Sequence, residues 1–563
     1  MWSISLIAVR IIAGLFDNNE TQYRGAVMGS FLNSIMPFEE YKSISKTRFF
    51  VDKTPLIGEV ISDVTTNGQK YVCITRPRRF GKSVMASMIG AFFGKAADAK
   101  PLFDNLKISG SEAYHKHLNQ HDVIYIDFSR MPRNCRNYKE YISRIEDGIN
   151  NDLAEAYPKF RLNVKNAVWD NLQAVFEHDR NKFIFVMDEW DAIFHKDFIS
   201  ENDKKDYLDF LRNLLKGQTY VEFAYMTGVL PIAKYSSGSE LNMFLEYSMA
   251  SKKKYSEYFG FLDQEADRLY EIYQEKTAEP AISREELRIW YDGYYTAKGK
   301  KIYNPRSVVC ALTDNDLADY WTSSGPYDEI FYYIRNNIDA VREDLVLMVS
   351  GEGVEAKIQN YAAVSMNLNT KEEVYSAMVV YGLLTYYEGK VFIPNQELMR
   401  QFNKLLMSKE SLGYVYNLAK ESEKMLQATI AGDTGKMAEI LKFAHDTESP
   451  ILSYSSEIEL SAIVNLVYLA ARDKYRVERE DKAGQGYVDF IFYPEYKGAD
   501  ALILELKTDS TPEEAIRQIK EKNYALRFRG KLGEQPKYTG RVLAVGISYD
   551  KKTKEHFCRV EVL

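Results

Sequence analysis

An apolar run, Tyr71 to Thr75, gives way to the loop Arg76-Pro77-Arg78-Arg79-Phe80-Gly81-Lys82-Ser83, and a helix-compatible stretch follows from Val84 to Phe93. Strand, short loop and helix in that order aim a helix N-terminus and successive backbone N–H groups at the loop, the setting that binds phosphate. Three further strand-like runs, Val123 to Phe128, Phe183 to Met187 and Val221 to Met226, alternate with helix-compatible stretches such as Tyr138 to Tyr157 and Lys205 to Leu215. Short β-branched or aromatic runs separated by helices predict a parallel α/β sheet.

Within the loop, Lys82 is placed to meet the β- and γ-phosphates and Ser83 to hold Mg²⁺. Arg76 and Pro77 stand where the first glycine is usual, so the loop alone is weak evidence. The run Phe183 to Met187 ends in Asp188-Glu189, as expected where Asp188 holds Mg²⁺ through water and Glu189 polarises the attacking water. The strand-like run Val123 to Phe128 falls between the loop and this acidic run, and the next ends in Thr227-Gly228. That layout predicts a P-loop ATPase sheet with an additional central strand, in which Thr227 senses the γ-phosphate. The candidate nucleotide contacts are therefore Arg79, Gly81, Lys82, Ser83, Asp188 and Thr227, with Glu189 catalytic. Arg76, Arg78 and Arg79 crowd the same site. One of them could stabilise γ-phosphate charge, within the subunit or across a homo-oligomer interface.

These residues resemble the AAA-ATPase-like proteins of bacteria, whose loop reads close to Thr-Arg-Pro-Arg-Arg-Phe-Gly-Lys-Ser. Similar landmarks are Phe50-Val51-Asp52-Lys53-Thr54, Asp188-Glu189-Trp190-Asp191, Thr227-Gly228-Val229, Trp290-Tyr291-Asp292-Gly293-Tyr294 and Tyr303-Asn304-Pro305. The resemblance spans roughly residues 30 to 330 and implies ATP as ligand. Arg76 is then the family's own departure, and Trp190 stands where the family commonly has Tyr. Asp191 is expected either to assist at the metal or to serve as a surface or helix-capping residue.

Length sets the frame for the rest. A chain of 563 residues at roughly 100–200 residues per domain allows about three or four domains. The formal net charge of −7 announces no global nucleic-acid binder, although an acidic average can hide a basic groove. Cys73, Cys135, Cys310 and Cys558 are far apart, which implies neither a disulfide framework nor a zinc knuckle and fits a reducing cytoplasm. Met1 to Phe16 is apolar but interrupted by Arg10 and shorter than the ~20 residues of a membrane span, so it reads either as a disordered extension or as an upstream start ahead of Met28, and no membrane association is expected.

The expected division is an N-terminal extension at 1–30, the ATPase-like domain at 31–235, a helical middle or lid at 236–449 and a last domain at 450–563. Tyr235 to Ser239 reads as a mobile loop. Lys371 to Leu383 reads as a helix, and Leu384 to Ile393 as a hairpin turning at Glu388-Gly389. Helix then hairpin is the pattern of a winged helix, which either binds DNA or packs within the molecule.

A second site is expected in the last domain. Glu505 and Lys507 are two apart in the strand-like run Ala501 to Thr508, so both project from one face. Another run, Val488 to Tyr493, carries Asp489. Carboxylates that hold Mg²⁺ beside a lysine that acts on water or phosphate are the parts of a metal-dependent phosphodiesterase. With a preceding helix-like stretch, Glu459 to Ala471, and a following helix, the order resembles the PD-(D/E)XK nuclease superfamily over roughly residues 450 to 563. The resemblance implies Glu459 as the helix acid, with Glu457 its neighbouring alternative, and Gln518 near the metal. Val488-Asp489 replaces the superfamily's Pro-Asp.

Arg517, Lys520, Lys522, Arg527, Arg529 and Lys531 follow and form either a phosphate-contacting stretch or a solvated helix face. His115, His117 and His121 lack a ligand pattern. The expected protein is a cytoplasmic ATPase whose nucleotide state controls a Mg²⁺-dependent nuclease acting on DNA in preference to RNA. The alternative is an ATP-dependent signalling switch or scaffold whose last domain binds nucleic acid or protein without cutting.

Overall fold

The computed structural model describes residues 29–232, 241–250, 252–322, 338–358, 368, 370–408, 410–446, 457–483, 486–494, 498–528 and 540–563. The segments Met1 to Phe16 and Tyr235 to Ser239, together with Met28, Arg529 and Lys531, lie outside the described residues. The chain divides into two compact units, one running to Ala281 and including Tyr295–Thr313, the other formed by Ile282–Tyr294 and Asp314–Leu563. No helix among the described residues is long and apolar enough to cross a membrane.

The first unit is built on strands β1 (Tyr71–Thr75), β2 (Asp122–Asp127), β3 (Phe183–Asp188), β4 (Val221–Gly228) and β5 (Leu245–Ser248). They form one five-stranded sheet in the order β2-β3-β4-β1-β5, and every pairing is parallel. Burial on both faces accounts for the near-continuous apolar runs seen in the sequence. Spatial order differs from chain order in one respect that matters. The strand inserted between β1 and the acidic β3 is β4, while β2 pairs with β3 alone at the edge. Thr227 is thereby brought between the loop and Asp188. The fifth strand, Leu-Glu-Tyr-Ser, was not singled out by its sequence.

Helix α1 (Lys82–Phe93) follows the loop and is buried almost all round, through Met85, Ala86, Met88, Ile89, Phe92 and Phe93. A helix apolar on nearly every face has to lie inside a core, and this one shares a cluster with Val72, Ile74, Ile184, Val186 and Tyr225 of the sheet.

The second unit opens with helical structure. Helix α2 (Lys371–Val380) starts at a capping box between Thr370 and Glu373. It stops short of Leu383 because the N–H groups of Leu383 and Leu384 both turn back to the Met378 carbonyl. The expected hairpin forms from β7 (Thr385–Tyr387) and β8 (Lys390–Phe392), and β6 (Val354–Glu355) adds to β8 to make a three-stranded sheet.

The final segment starts with α3 (Glu457–Val467), which gives way to a 3-10 turn, Leu469–Asp473, in place of one continuous helix to Ala471. Strands β9 (Tyr475–Ala483), β10 (Gly486–Pro494), β11 (Ala501–Thr508), β12 (Val542–Asp550) and β13 (Glu555–Val562) then form a five-stranded mixed sheet in chain order, with β11 and β12 parallel and the other pairs antiparallel. Helix α4 (Pro512–Glu521), capped by Thr511, crosses between β11 and β12 and covers one face. Its Ile516 and Ile519 join a core with Ile491, Ile503 and Ala544. Gly546 makes that approach possible: a Cβ there would lie 2.3 Å from the Pro512 carbonyl oxygen and 3.1 Å from the Ala515 Cβ.

Candidate functional sites

In the first unit the strands end level, with Thr75 opposite Gly228 and Asp127 opposite Asp188, so loop, acid and hydroxyl gather at the C-terminal edge of the sheet. The loop turns at two left-handed residues, Arg79 (φ +72°) and Gly81 (φ +87°), and Gly81 caps α1. Glycine adopts that conformation at no steric cost. Lys82 is buried, and its ammonium donates to the Arg76 and Pro77 carbonyls at 3.1 and 3.2 Å. The loop thus holds its own cation on neutral oxygens.

Asp188 accepts from the Thr227 hydroxyl at Oδ1. Burial pushes its carboxyl up to about 6, against the Ser83 and Thr227 hydrogen bonds that lower it. Glu189 follows in the left-handed region (φ +52°), where a residue with a side chain is held only by its surroundings. Burial also raises the Glu189 carboxyl, while Lys82 and Arg78 oppose the rise. Ser83, Asp188, Glu189, Lys82 and Thr227 are therefore brought together, and Arg79 is exposed on the loop.

Two landmark residues are held by contacts that the sequence did not show. Asp191 is not on the surface, and although it stands at the N-cap of the 3-10 turn Ala192–His195, its side chain does not cap that turn. It is buried, and its Oδ2 accepts from the Val229 and Leu230 N–H groups at 3.0 and 2.7 Å, bracing the turn that follows Thr227. Arg76 is also fully buried. Its guanidinium donates to the Thr75 and Tyr247 carbonyls at 2.7 and 2.6 Å and lies 4.9 Å from the Phe259 ring. Of the three arginines it is thus a support beneath the loop, pinned to β5. The Thr75 hydroxyl likewise donates to Glu246 on β5 at 3.0 Å, and the Ile232 N–H meets the other Glu246 oxygen at 3.1 Å. Glu246 and Tyr247 were missed in the sequence because a four-residue strand with a central charge has no usable periodicity.

In the second unit the register Phe490–Leu504 carries Asp489 opposite Glu505. The Leu506 N–H donates to Asp489 Oδ2 at 2.7 Å. Glu505 Oε1 accepts from Lys507 Nζ at 2.8 Å and from Gln518 Nε2 on α4, and the other oxygen, Oε2, is buried with no hydrogen-bond partner among the described residues. Burial and the nearby Asp489 push the Glu505 carboxyl up to about 7, against the Lys507 ammonium. A desolvated carboxylate oxygen with nothing to accept from, beside a second carboxylate, fits a hard divalent cation. No group of three potential metal ligands converges among the described residues. Glu459 lies on α3, but its side chain is outside the described residues, as is that of Glu457.

Two residues of the basic stretch after this site are paired with acids. Arg517 pairs with Glu514 and Glu521, and Lys520 with Glu561. The Arg527 side chain lies outside the described residues. Among the histidines, His117 Nδ1 meets His121 Nε2 at 2.9 Å and His121 Nδ1 meets Glu222 at 2.9 Å, while the His115 ring packs edge-on to Tyr114.

Comparison with known proteins agrees with this geometry. Residues 34–237 match the family model described as predicted AAA-ATPase, and residues 461–556 match that of the PD-(D/E)XK nuclease superfamily. No curated protein matches significantly. Among solved structures, the chain is similar to the Walker-type ATPase PABY2304 of Pyrococcus abyssi (13% identity, 62% of this chain and 94% of that one, TM-score 0.34). It is also similar to the ORC2 protein of Aeropyrum pernix in its ADPNP-ADP complexes (11% identity, 63% of this chain and 94% of that one, TM-score 0.28). The chain therefore joins an AAA-ATPase-like region at residues 34–237 to a PD-(D/E)XK nuclease-superfamily region at residues 461–556.

Proposed function

We propose that the protein hydrolyses ATP at the first site and cleaves nucleic-acid phosphodiesters, DNA in preference to RNA, at the second, with nucleotide state controlling cleavage. The observation that carries this reading is that each family-matched region brings carboxylates and a lysine close together. Lys82 would meet the phosphates in place of the loop carbonyls, Ser83 and Asp188 would hold Mg²⁺, Glu189 would orient and deprotonate water, and Thr227 would report the γ-phosphate through its bond to Asp188. Arg79 and Gly81 shape the loop around the nucleotide. In the second site Asp489 and Glu505, with Glu459 from α3, would hold a divalent ion that supplies charge neutralisation at the phosphate. Lys507 then acts on water or on developing phosphate charge, and Gln518 steadies Glu505.

The domain limits proposed above, 31–235, 236–449 and 450–563, belong to this reading, as do a cytoplasmic location and assembly with further copies of the chain. One observation favours the alternative of a non-cleaving switch or scaffold: Glu505 Oε1 accepts from both Lys507 and Gln518, so one of the two carboxylate oxygens is already engaged. Incubating the purified protein with labelled DNA and RNA, with Mg²⁺ or Mn²⁺ and with or without ATP, separates the two. Metal-dependent cleavage that responds to ATP is expected. ATP hydrolysis with no cleavage of any substrate would favour the switch.

A further inference from the structure

The basic residues after the second site differ in what already occupies them. On the outer side of α4, Arg517 is held by Glu514 and Glu521, and Lys520 by Glu561 across on β13. Glu561 is further engaged by Arg559, which also reaches Glu513. A phosphate reaching either residue has to compete with the carboxylates already there, a modest cost for pairs this exposed.

Lys522 is different. It forms the C-cap of α4, and its N–H still closes the helical turn onto the Gln518 carbonyl at 3.0 Å. Residues four apart on a helix lie on one face, and Gln518 points that face at Glu505. Lys522 therefore lies on the face of α4 that Gln518 turns towards Glu505. The residue is partly exposed and, among the described residues, carries no ion pair. A four-carbon stem ending in an ammonium on that face, with no ion pair among the described residues, is suited to a strand phosphate.

Resting on the nuclease reading above, we propose that Lys522 is a substrate-phosphate contact of the second site, holding a nucleic-acid backbone phosphate beside Asp489, Glu505 and Lys507. It acts in binding, and its partner is the polyanionic backbone rather than any base.

The test uses the full chain with a labelled DNA or RNA oligonucleotide and Ca²⁺ in place of Mg²⁺, so that binding is read without cleavage. Lys522→Ala is expected to weaken binding about five- to ten-fold near 0.1 M salt and to reduce the slope of log affinity against log salt by about 0.7–0.9, the effect of one phosphate contact. Lys522→Arg should restore most of both. Lys424→Ala, a charge-matched change at an exposed helix position, should alter neither. If wild-type protein binds while Lys522→Ala binds equally well with the same slope, the inference is overturned and the nuclease reading survives. A loss of affinity with an unchanged slope would also overturn it, since a structural disturbance does not remove a single counterion exchange. Wild-type protein that binds neither DNA nor RNA would bring down the nuclease reading and this inference together.

Discussion

The two sites solve the same electrostatic problem in opposite ways. In the first, cation and anion are kept apart and each rests on neutral dipoles: Lys82 on two carbonyls, Asp188 on hydroxyls. In the second, Lys507 sits directly on Glu505. A ligand entering the first site exchanges neutral hydrogen bonds for charged ones, whereas a cation entering the second has to take a carboxylate that already carries a counter-charge. The first site is poised to bind, and the second is partly neutralised within itself.

The largest effects expected would test whether the first site really divides binding from chemistry. Glu189→Gln should keep ATP affinity and lose hydrolysis by about 10²–10⁴-fold, the range for a general base. Lys82→Ala should instead weaken nucleotide binding severely, because it removes the buried cation itself. Nucleotide titrations alongside phosphate-release rates separate the two outcomes. Hydrolysis at the parent rate in Glu189→Gln would show that the left-handed acid is not the base.

A second, somewhat smaller set addresses the paired charges. Asp489→Ala or Glu505→Ala should abolish metal-dependent cleavage together with metal binding, seen by titration calorimetry with Mn²⁺. Lys507→Ala should lose cleavage while binding metal at least as well as the parent, since the competing ammonium on Glu505 is gone. Weaker metal binding in Lys507→Ala would break the comparison, because it would mean that the lysine organises the carboxylate rather than competing for it.

The smallest effect lies at the other end of the first sheet. His117 is held below its ordinary value near 6.5 by burial and by His121, so the unfolded chain takes up this proton first. The resulting stability is complete above about pH 6.5 and is lost as the pH falls through that value towards the folded-state pKa. His117→Gln should therefore narrow the difference in melting temperature between roughly pH 5 and pH 7, by about 1–2 °C. An unchanged difference would show that the histidine pair carries no proton linkage.

How much of this was legible in the sequence depended on the range of the interaction. Strands β1 to β4 were readable because a parallel strand buried on both faces leaves an unbroken apolar run, and Glu505 and Lys507 because a period of two puts them on one face. The gathering of Lys82, Asp188 and Thr227 followed from loop and strand order. Arg76 looked like one more cation near phosphate, and only the carbonyl of Tyr247, far along the chain, shows why it is buried. Asp191 was ambiguous until Val229 and Leu230 turned their N–H groups to it. Charge runs told least of all. Arg517 carries its acids on its own helix, but Lys520 finds Glu561 on a strand that the sequence of α4 does not announce.

The attachment of the phosphate loop to β5 separates two kinds of boundary. The family-matched segment ends at residue 237, yet the hydrogen bonds that seat Arg76 and Thr75 come from Glu246 and Tyr247. A fragment cut where the kinship ends would keep every residue of the nucleotide site and lose the sheet's fifth strand, leaving a buried guanidinium short of one of its two carbonyls. The unit of descent is thus shorter than the unit of folding. In this chain the integrity of the loop at its start is settled only after about 170 further residues have been made, late enough to tie the ripening of the site to the completion of its sheet.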